Sequence, residues 1–296
     1  MTFPLEVARR FALGDPVALP VAVPGGLSNE LWRLTTGEGD FAVKRMVVNA
    51  DRPDFVADVE GSFAIEQRAW RAGVPMPQPI SDRATGRALA RVDGDLFRVH
   101  RWVEARPGRP LPREAAALLA SIHAAGSPRV ARSPDTTWSP REAELRELCE
   151  RVGSGPAELT IVDSHRDLDP KNTIRAGVLL AVDWDAAGPT SAVHEAVGVA
   201  LDWTTTAEEF AGTVRAYAAR GGVDVPAEPW IFAGWVAAQG GWLDYNERHR
   251  AETPLGRAEA ATTRGRLHTL AAGIDGLLSA LRSTPPAPPA GPEAAH

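Results

Sequence analysis

A polar stretch, Ser164-His165-Arg166-Asp167-Leu168-Asp169-Pro170-Lys171-Asn172, lies between two short apolar runs, Thr160 to Val162 and Val178 to Asp183, and the second run ends in Asp183-Trp184-Asp185. Apolar runs of this length read as buried strands. The order therefore demands a strand, a polar loop and a return strand. A carboxylate opens the loop, an amide follows five residues later, and a second carboxylate arrives 11 residues after that. A single Asp in a loop is ordinarily a turn or cap residue, so the constraint comes from the joint spacing.

Each of these groups suits one part of phosphoryl transfer. A carboxylate at Asp167 can accept the proton of a hydroxyl as it attacks phosphorus. The amide oxygen of Asn172 and the carboxylate of Asp183 suit a hard cation such as Mg²⁺, which keeps several waters and shares phosphate oxygens with ATP. His165 reads as a buttress of the loop through hydrogen bonds.

Of the 32 basic residues, 30 are Arg, and only Lys44 and Lys171 are Lys. With abundant Ala, Gly and Pro, this indicates a GC-rich coding bias under which Arg replaces Lys wherever it can. Retained lysines therefore draw attention. Lys44 stands in Phe41-Ala42-Val43-Lys44-Arg45-Met46, a strand-like run from which a compact ammonium could hold ATP phosphates. A solubilising Lys at a strand edge is the plainer alternative.

Along the chain the pattern changes once. Residues 1–102 read as a short helix, strands near Ala18–Val23, Leu31–Thr36 and Phe41–Met46, a helix over Phe55–Arg71 closed by Gly73, and strands near Ala88–Val92 and Leu96–Trp102. Residues 103–283 are mainly helical, with helices expected over Pro112–Ala125, Pro140–Val152, Ala192–Thr206, Ala207–Arg220, Pro229–Asn246 and Leu255–Arg282. A Pro- and Ala-rich tail, 284–296, reads as disordered. The expected class is α+β, with a small antiparallel-sheet N-lobe and a larger helical C-lobe.

At 296 residues the chain can fill one large domain or two lobes with separate cores. No apolar run approaches the ~20 residues of a membrane span, and MTFPLEVARRFALGD lacks the pattern of a signal peptide, so a cytoplasmic location is expected. The net charge of −6 argues against nonspecific binding to nucleic acid or anionic membrane. Residues 1–102 hold 13 basic and 13 acidic side chains, the remainder 19 and 25, an imbalance that would suit a cationic substrate or simply a solvated acidic surface. Cys149 is alone and reads as inert.

At His165-x-Asp167 through Asn172 and Asp183, the chain resembles the aminoglycoside phosphotransferase and choline kinase-like family, relatives of the protein kinases. The resemblance covers roughly residues 20–250. It implies a bilobal protein kinase-like fold and the cofactors ATP and Mg²⁺. Asp167 would be the catalytic base, and Asn172 and Asp183 would bind the metal. Gly25-Gly26-Leu27-Ser28-Asn29 looks like the family's nucleotide loop, in which Gly26, Ser28 and Asn29 would reach phosphate oxygens. Lys44 would be held by a helix glutamate, Glu66 in preference to Glu60. Phe97 to Val103 looks like the strand entering the hinge, so adenine would bond the Arg101 carbonyl and the Val103 amide. The family's acceptor site forms between the catalytic loop and the C-terminal helices. That directs attention to Asp202, Trp203, Glu208, Glu209, Trp235, Gln239, Trp242, Asp244, Tyr245 and Glu247, among which Asp202, Asp244, Trp203 and Glu208 are the candidate substrate contacts. Trp235 and Trp242, seven residues apart, fit one buried helix face equally well.

Arg166 stands where the family usually has Gly, giving a His-Arg-Asp-Leu form typical of protein kinases. Against a protein kinase, Asp183-Trp184-Asp185 replaces Asp-Phe-Gly, no Ala-Pro-Glu closes an activation segment, and 123 residues separate Lys44 from Asp167. No GxxxxGK[ST] motif is present, which excludes a P-loop enzyme. The expected activity is ATP-dependent phosphorylation of a hydroxyl on a small polar molecule, such as an aminoglycoside, amino sugar or related metabolite. A protein kinase or a nucleotide-binding pseudokinase are the alternatives. An antibiotic-resistance role is one possible setting.

Overall fold

The structure, a computed structural model, describes residues 3–24 and 29–283. It has an α+β fold, with an antiparallel sheet in the N-terminal part and helices in the C-terminal part, as expected. The order is α1 (Phe3–Arg10), β1 (Val21–Val23), β2 (Asn29–Thr36), β3 (Gly39–Met46), α2 (Phe55–Arg71), β4 (Pro79–Ile80), β5 (Ala90–Val92), β6 (Asp95–Arg101), α3 (Pro112–Ala125), β7 (Arg129–Arg132), α4 (Ala143–Val152), β8 (Glu158–Ser164), β9 (Thr173–Ala176), β10 (Val178–Ala181), β11 (Gly188–Ser191), α5 (Ala192–Trp203), α6 (Ala207–Ala218), α7 (Ala233–His249) and α8 (Pro254–Ser283).

By packing, the chain forms two compact units. One joins the residues up to Arg109 to Ser164–Gly188, and the other joins Pro110–Asp163 to the residues from Pro189 onward. The lobe limits read from the sequence, 1–102 and 103–283, remain a proposal. The 284–296 tail lies outside the described residues.

In the first unit the sheet order is β1-β2-β3-β6-β4, with β5 on β6, and these pairs are antiparallel. Alternation along the strands sorts its two faces. Phe41, Val43, Phe97 and Val99 pack with Val7 of α1 and Phe11 just beyond it. Met46 and Leu96 belong to the opposite face and pack with Val59 and Phe63 of α2. Lys44 and Arg98 share the parity of that second face. Gly73, at φ +83°, closes α2 as expected, a conformation that glycine adopts without steric cost.

The segment Ser164–Gly188 is tied to this unit by backbone bonds from Ala181 N to Pro75 O (3.0 Å) and from Arg106 N to Arg175 O (2.7 Å). Within it, β9 and β10 form a tight hairpin with Thr173 opposite Ala181. The hairpin was read from the sequence only as its second strand.

The second unit carries the larger apolar core. Leu145 and Leu148 of α4, Val197 of α5, Phe210 of α6, Trp235 and Leu243 of α7, and Leu267, Ile274 and Leu278 of α8 meet there. The run expected as one helix from Pro229 begins instead as a 3₁₀ turn, Pro229–Phe232, before α7. Among the described residues no helix is long and apolar enough to cross a membrane.

Candidate active site

The β9–β10 hairpin explains why two residues eleven apart in sequence can act together. Its open end is fastened by Val182 N donating to Asn172 O at 2.9 Å, which sets Asn172 beside the residue preceding Asp183. Asn172 ends a 3₁₀ turn, Pro170–Asn172, capped by the side chain of Asp169 through Lys171 N at 2.9 Å. The Asn172 side-chain NH₂ donates to Asp167 Oδ2 at 2.7 Å and to Asp167 O at 2.9 Å. That fixes the Asp167 carboxyl and leaves Asn172 Oδ1 free of that task.

His165 is fully buried, donates from Nε2 to Val182 O at 2.9 Å, and accepts from Asp167 N at Nδ1 at 3.3 Å. Its ring meets Trp184 edge-on, with centroids 4.8 Å apart. It buttresses the loop, as the spacing implied. Burial pushes the Asp167 carboxyl above the ordinary carboxylate range, against the opposing charge of Lys171 and the Asn172 bond. A base with a raised pKa takes up a proton more readily near neutrality.

Arg166 occupies the left-handed region at φ +67°. Only glycine adopts that region freely, which is the physical reason a glycine is usual at this point of the loop. Asp183 is also left-handed, at φ 63° and ψ 62°, a conformation that Asp tolerates better than most residues.

Lys44 projects from β3 to Asp183 Oδ1 at 2.7 Å and to Asp185 Oδ2. Burial opposes its charge, but the carboxylates of Asp185 and Asp183 outweigh that and hold the ammonium above its ordinary pKa. Asp185 is half-buried, and against the desolvation that would raise it the cations Lys44 and Arg98 hold it well below the usual carboxylate range. Two side chains that the sequence analysis passed over, Asp185 and Arg98, are thus part of the cluster. Both left a signal. Arg98 is a charge centred in the apolar run Leu96-Phe97-Arg98-Val99, and Asp185 repeats Asp183 two residues on, across a Trp.

The expected Lys44–Glu66 pair is corrected. Glu66 is fully buried, and its carboxylate pairs with Arg98 and, at 2.9 Å, with His100 Nε2. Arg98 stands directly opposite Lys44 in the β3–β6 register, and its guanidinium fork takes the helix carboxylate first. Burial would raise the Glu66 pKa, yet Arg98 and His100 bring it below the ordinary value. Glu60 does not replace it, since it accepts from Ala88 N at 3.0 Å and Leu89 N at 3.2 Å and so ties α2 to the approach to β5.

The remaining expectations are distributed as follows. Gly26 and Ser28 lie outside the described residues. Asn29 opens β2, and its Oδ1 accepts from Val47 N at 3.0 Å. Strand β6 ends at Arg101, whose N donates to Gln78 O, while Trp102 N donates to Asp40 O on the other side. Backbone alternation then turns the Arg101 carbonyl and the half-buried Val103 amide away from β3.

In the second unit, Asp202 accepts from Trp235 Nε1 at 2.9 Å and pairs with Arg266. Asp244 pairs with Arg248 at 3.0 Å, Glu208 is exposed in the first turn of α6, and Trp203 is half-buried at the end of α5. The two tryptophans divide. Trp235 is core, whereas Trp242 is 37% exposed and stacks on Tyr245. Concavities of about 400 and 370 Å³, one against His194 and Trp230 and one against Leu13 and Arg101, are not lined by Asp167, Asn172, Lys44 or Asp183.

Among the described residues no three His, Cys, Asp or Glu side chains gather as a complete metal cage. Asn172 Oδ1 and the half-exposed Asp183 carboxylate instead offer two hard oxygen donors. Such a partial set fits a magnesium ion that completes its shell with water and phosphate oxygens.

Comparisons with known proteins bear on the family and the fold. Residues 21–158 match the model of the phosphotransferase enzyme family. No curated protein matches the chain in sequence. Among solved structures, a choline/ethanolamine kinase family protein from Mesorhizobium loti is 18% identical with a TM-score of 0.62, over 95% of this chain and 100% of that one. A choline kinase from Streptococcus pneumoniae is 13% identical with a TM-score of 0.64, over 91% and 100%. A spectinomycin phosphotransferase solved with ADP and spectinomycin is 10% identical with a TM-score of 0.61, over 90% and 95%. The resemblance read from the sequence is borne out by the family match and the shared kinase-like fold, and with it the expectation of a phosphotransferase enzyme.

Proposed function

We propose, for a chain that matches the phosphotransferase enzyme family and has its kinase-like fold, that it transfers the γ-phosphoryl group of ATP to a hydroxyl of a small polar molecule. The observation that carries this reading is the Asp167–Asn172 pair, held on a loop whose return strand delivers Asp183 to Lys44. Bound Mg-ATP supplies the electrophilic phosphorus and the divalent charge that offsets its oxygens. The residues do the rest. Lys44, kept protonated, offers a fixed ammonium to the phosphates. Asn172 and Asp183 hold the metal, and the backbone of Arg101 and Val103 reads adenine. Asp167, oriented by Asn172, takes the proton of the acceptor hydroxyl. Complexes of relatives with ADP and with AMP-PNP support ATP as the donor.

For the acceptor, relatives of the same fold are named for choline, spectinomycin and aminopropanol. Together with the acidic excess of residues 103–296, this favours a hydroxyl compound that also bears an amine. Of the candidate carboxylates, the exposed Glu208 is the most available, since Asp202 already serves Trp235 and Arg266 and Asp244 pairs with Arg248. The intact set Lys44, Asp167, Asn172 and Asp183 favours turnover over a pseudokinase.

The test is an ADP-release screen over aminoglycosides, amino sugars, cyclitols and amino alcohols. Asp167→Asn should lower kcat by about 10²–10⁴-fold and leave Mg-ATP-dependent thermal stabilisation nearly intact. Asp183→Asn should also weaken that stabilisation. Full turnover in Asp167→Asn would refute the base assignment.

A further inference from the structure

Two cations stand side by side on the sheet face that α2 covers. The register sets Lys44 of β3 directly opposite Arg98 of β6, an arrangement that costs stability unless carboxylates separate the charges. Three do so, and they form a sequence of contacts. Glu66 binds Arg98, Arg98 binds Asp185, and Asp185 shares Lys44 with Asp183. The helix carboxylate therefore meets the ammonium only through two intermediaries.

A second set of bonds fastens the same elements. Ser62 Oγ on α2 has a single proton to donate and lies within hydrogen-bond reach of Asp185 O at 3.0 Å and Ala187 O at 3.1 Å as well as its own helix's Asp58 O at 3.0 Å, so the turn carrying Asp185 meets α2 at its backbone as well as at its side chain. Arg98 is fully buried, and its planar fork serves two carboxylates, Glu66 on α2 and Asp185, at once.

Resting on the phosphotransfer reading, we propose that Arg98 is the positioning residue through which Glu66 acts on the phosphate-binding Lys44, by holding Asp185 in place. A shift of α2 would then reach the ammonium as a movement of Asp185. Arg98 itself touches neither phosphate nor acceptor in this arrangement.

The experiment compares the wild-type chain with Glu66→Gln, Arg98→Met, Arg98→Lys and the pairs Glu66→Gln/Arg98→Met and Glu66→Leu/Arg98→Met, by KM for ATP, kcat and urea unfolding. Glu66→Gln and Arg98→Met should each raise KM for ATP about tenfold, and their combination should do no worse than either alone. Arg98→Lys, lacking the fork, should not restore the wild-type KM. The apolar pair Glu66→Leu/Arg98→Met should recover stability, as apolar replacements of buried ion pairs often do, while KM stays high. A normal KM in that stable pair, or additive effects of the single changes, would overturn the proposal.

If Arg98→Met does not fold, Arg98→Lys and Glu66→Gln decide the matter by the same comparison. A wild-type chain that ignores Mg-ATP would defeat the kinase reading itself. Urea-unfolding double-mutant cycles that add Lys44→Met and Glu66→Gln/Lys44→Met to the set then decide the relay: coupling of Glu66 to Arg98 must exceed coupling of Glu66 to Lys44, and the reverse order would overturn it.

Discussion

Beneath α2, the sheet face of the first unit holds Glu66 and Arg98 without solvent contact, with Lys44 and Asp185 close behind them. The core that α8 covers in the second unit is made of Leu267, Leu270, Ile274 and Leu278 against Phe210 and Phe232. Some of its buried polar groups are paired. His123, for instance, lies between Tyr217 Oη at 2.7 Å and Glu195 at 2.9 Å, and burial raises the Tyr217 hydroxyl to about 12. Apolar packing tolerates imprecision because it has no direction. A buried ion cluster tolerates almost none, since each missing partner leaves a desolvated charge. The first unit therefore gives up robustness for a set of charges with fixed positions.

Two substitutions test that contrast with the largest expected effects. Glu66→Ala leaves Arg98 short of a partner and should cost about 3–5 kcal/mol at pH 7. Ile274→Ala, in the apolar core, should cost about 2–5 kcal/mol. Their pH dependence should separate them. The folded-state pKa values of Glu66 and Asp185 are depressed, by Arg98 and His100 in one case and by Lys44 and Arg98 in the other, both against burial. Depressed carboxylates contribute stability that is present above their unfolded values and lost as pH falls through the folded ones. The cost of Glu66→Ala should therefore shrink on acidification, and that of Ile274→Ala should not. Urea unfolding at pH 7 and pH 4, with hydrogen exchange of α2 and α8 read separately, checks this. Equal pH responses would break the contrast.

The same contrast governs how much was legible in the sequence. Helix α2 was read with its observed limits, Phe55–Arg71, because apolar periodicity and Gly73 mark it locally. The segment from His165 to Asn172 was legible as a polar loop following a strand, because the apolar run Thr160–Val162 marks the strand before it. The partner of Glu66 was not. Lys44 and Arg98 lie on the same sheet face, and only the β3–β6 register, a long-range pairing, shows that Arg98 stands beside Lys44. Short strands such as β7, β9 and β11, four residues each, were passed over because so few residues carry no periodicity. The acceptor site was least legible, since sugars and amines are bound by surface carboxylates that look like any solvated helix face.

A smaller effect concerns the one non-glycine residue at positive φ between His165 and Asn172, which the family resemblance had already marked. At φ +67°, Arg166 bears a backbone cost that its guanidinium, lying against Gly188, can offset only in part. Arg166→Ala removes the guanidinium and keeps the strain, whereas Arg166→Gly removes both. Arg166→Gly should therefore be the more stable of the two by about 1 kcal/mol, after allowing for the greater unfolded-state freedom of glycine. Thermal unfolding of the two variants measures the difference. Equal stabilities would mean that the left-handed position costs Arg166 nothing.

The smallest effect tests whether charge in the second unit behaves differently because it is solvated. His268 of α8 is bound by Glu144 through Nδ1 and by Glu142 through Nε2, each at 3.0 Å, and Glu142 is shared with Arg264. The Glu144 bond, followed by the Glu142 bond, outweighs a small desolvation and raises the His268 pKa above its ordinary value. A raised histidine contributes stability that is complete below its unfolded pKa and is lost as pH rises through the folded one. His268 is about one-third exposed, and solvent screening should hold the contribution to roughly 0.2–1 kcal/mol. His268→Gln should accordingly melt slightly below the wild type at pH 5.5 and together with it at pH 8.5. A gap that persists at pH 8.5 would mean that the α4–α8 contact rests on packing, and charge would then matter to the fold only in the unit that holds the ion cluster.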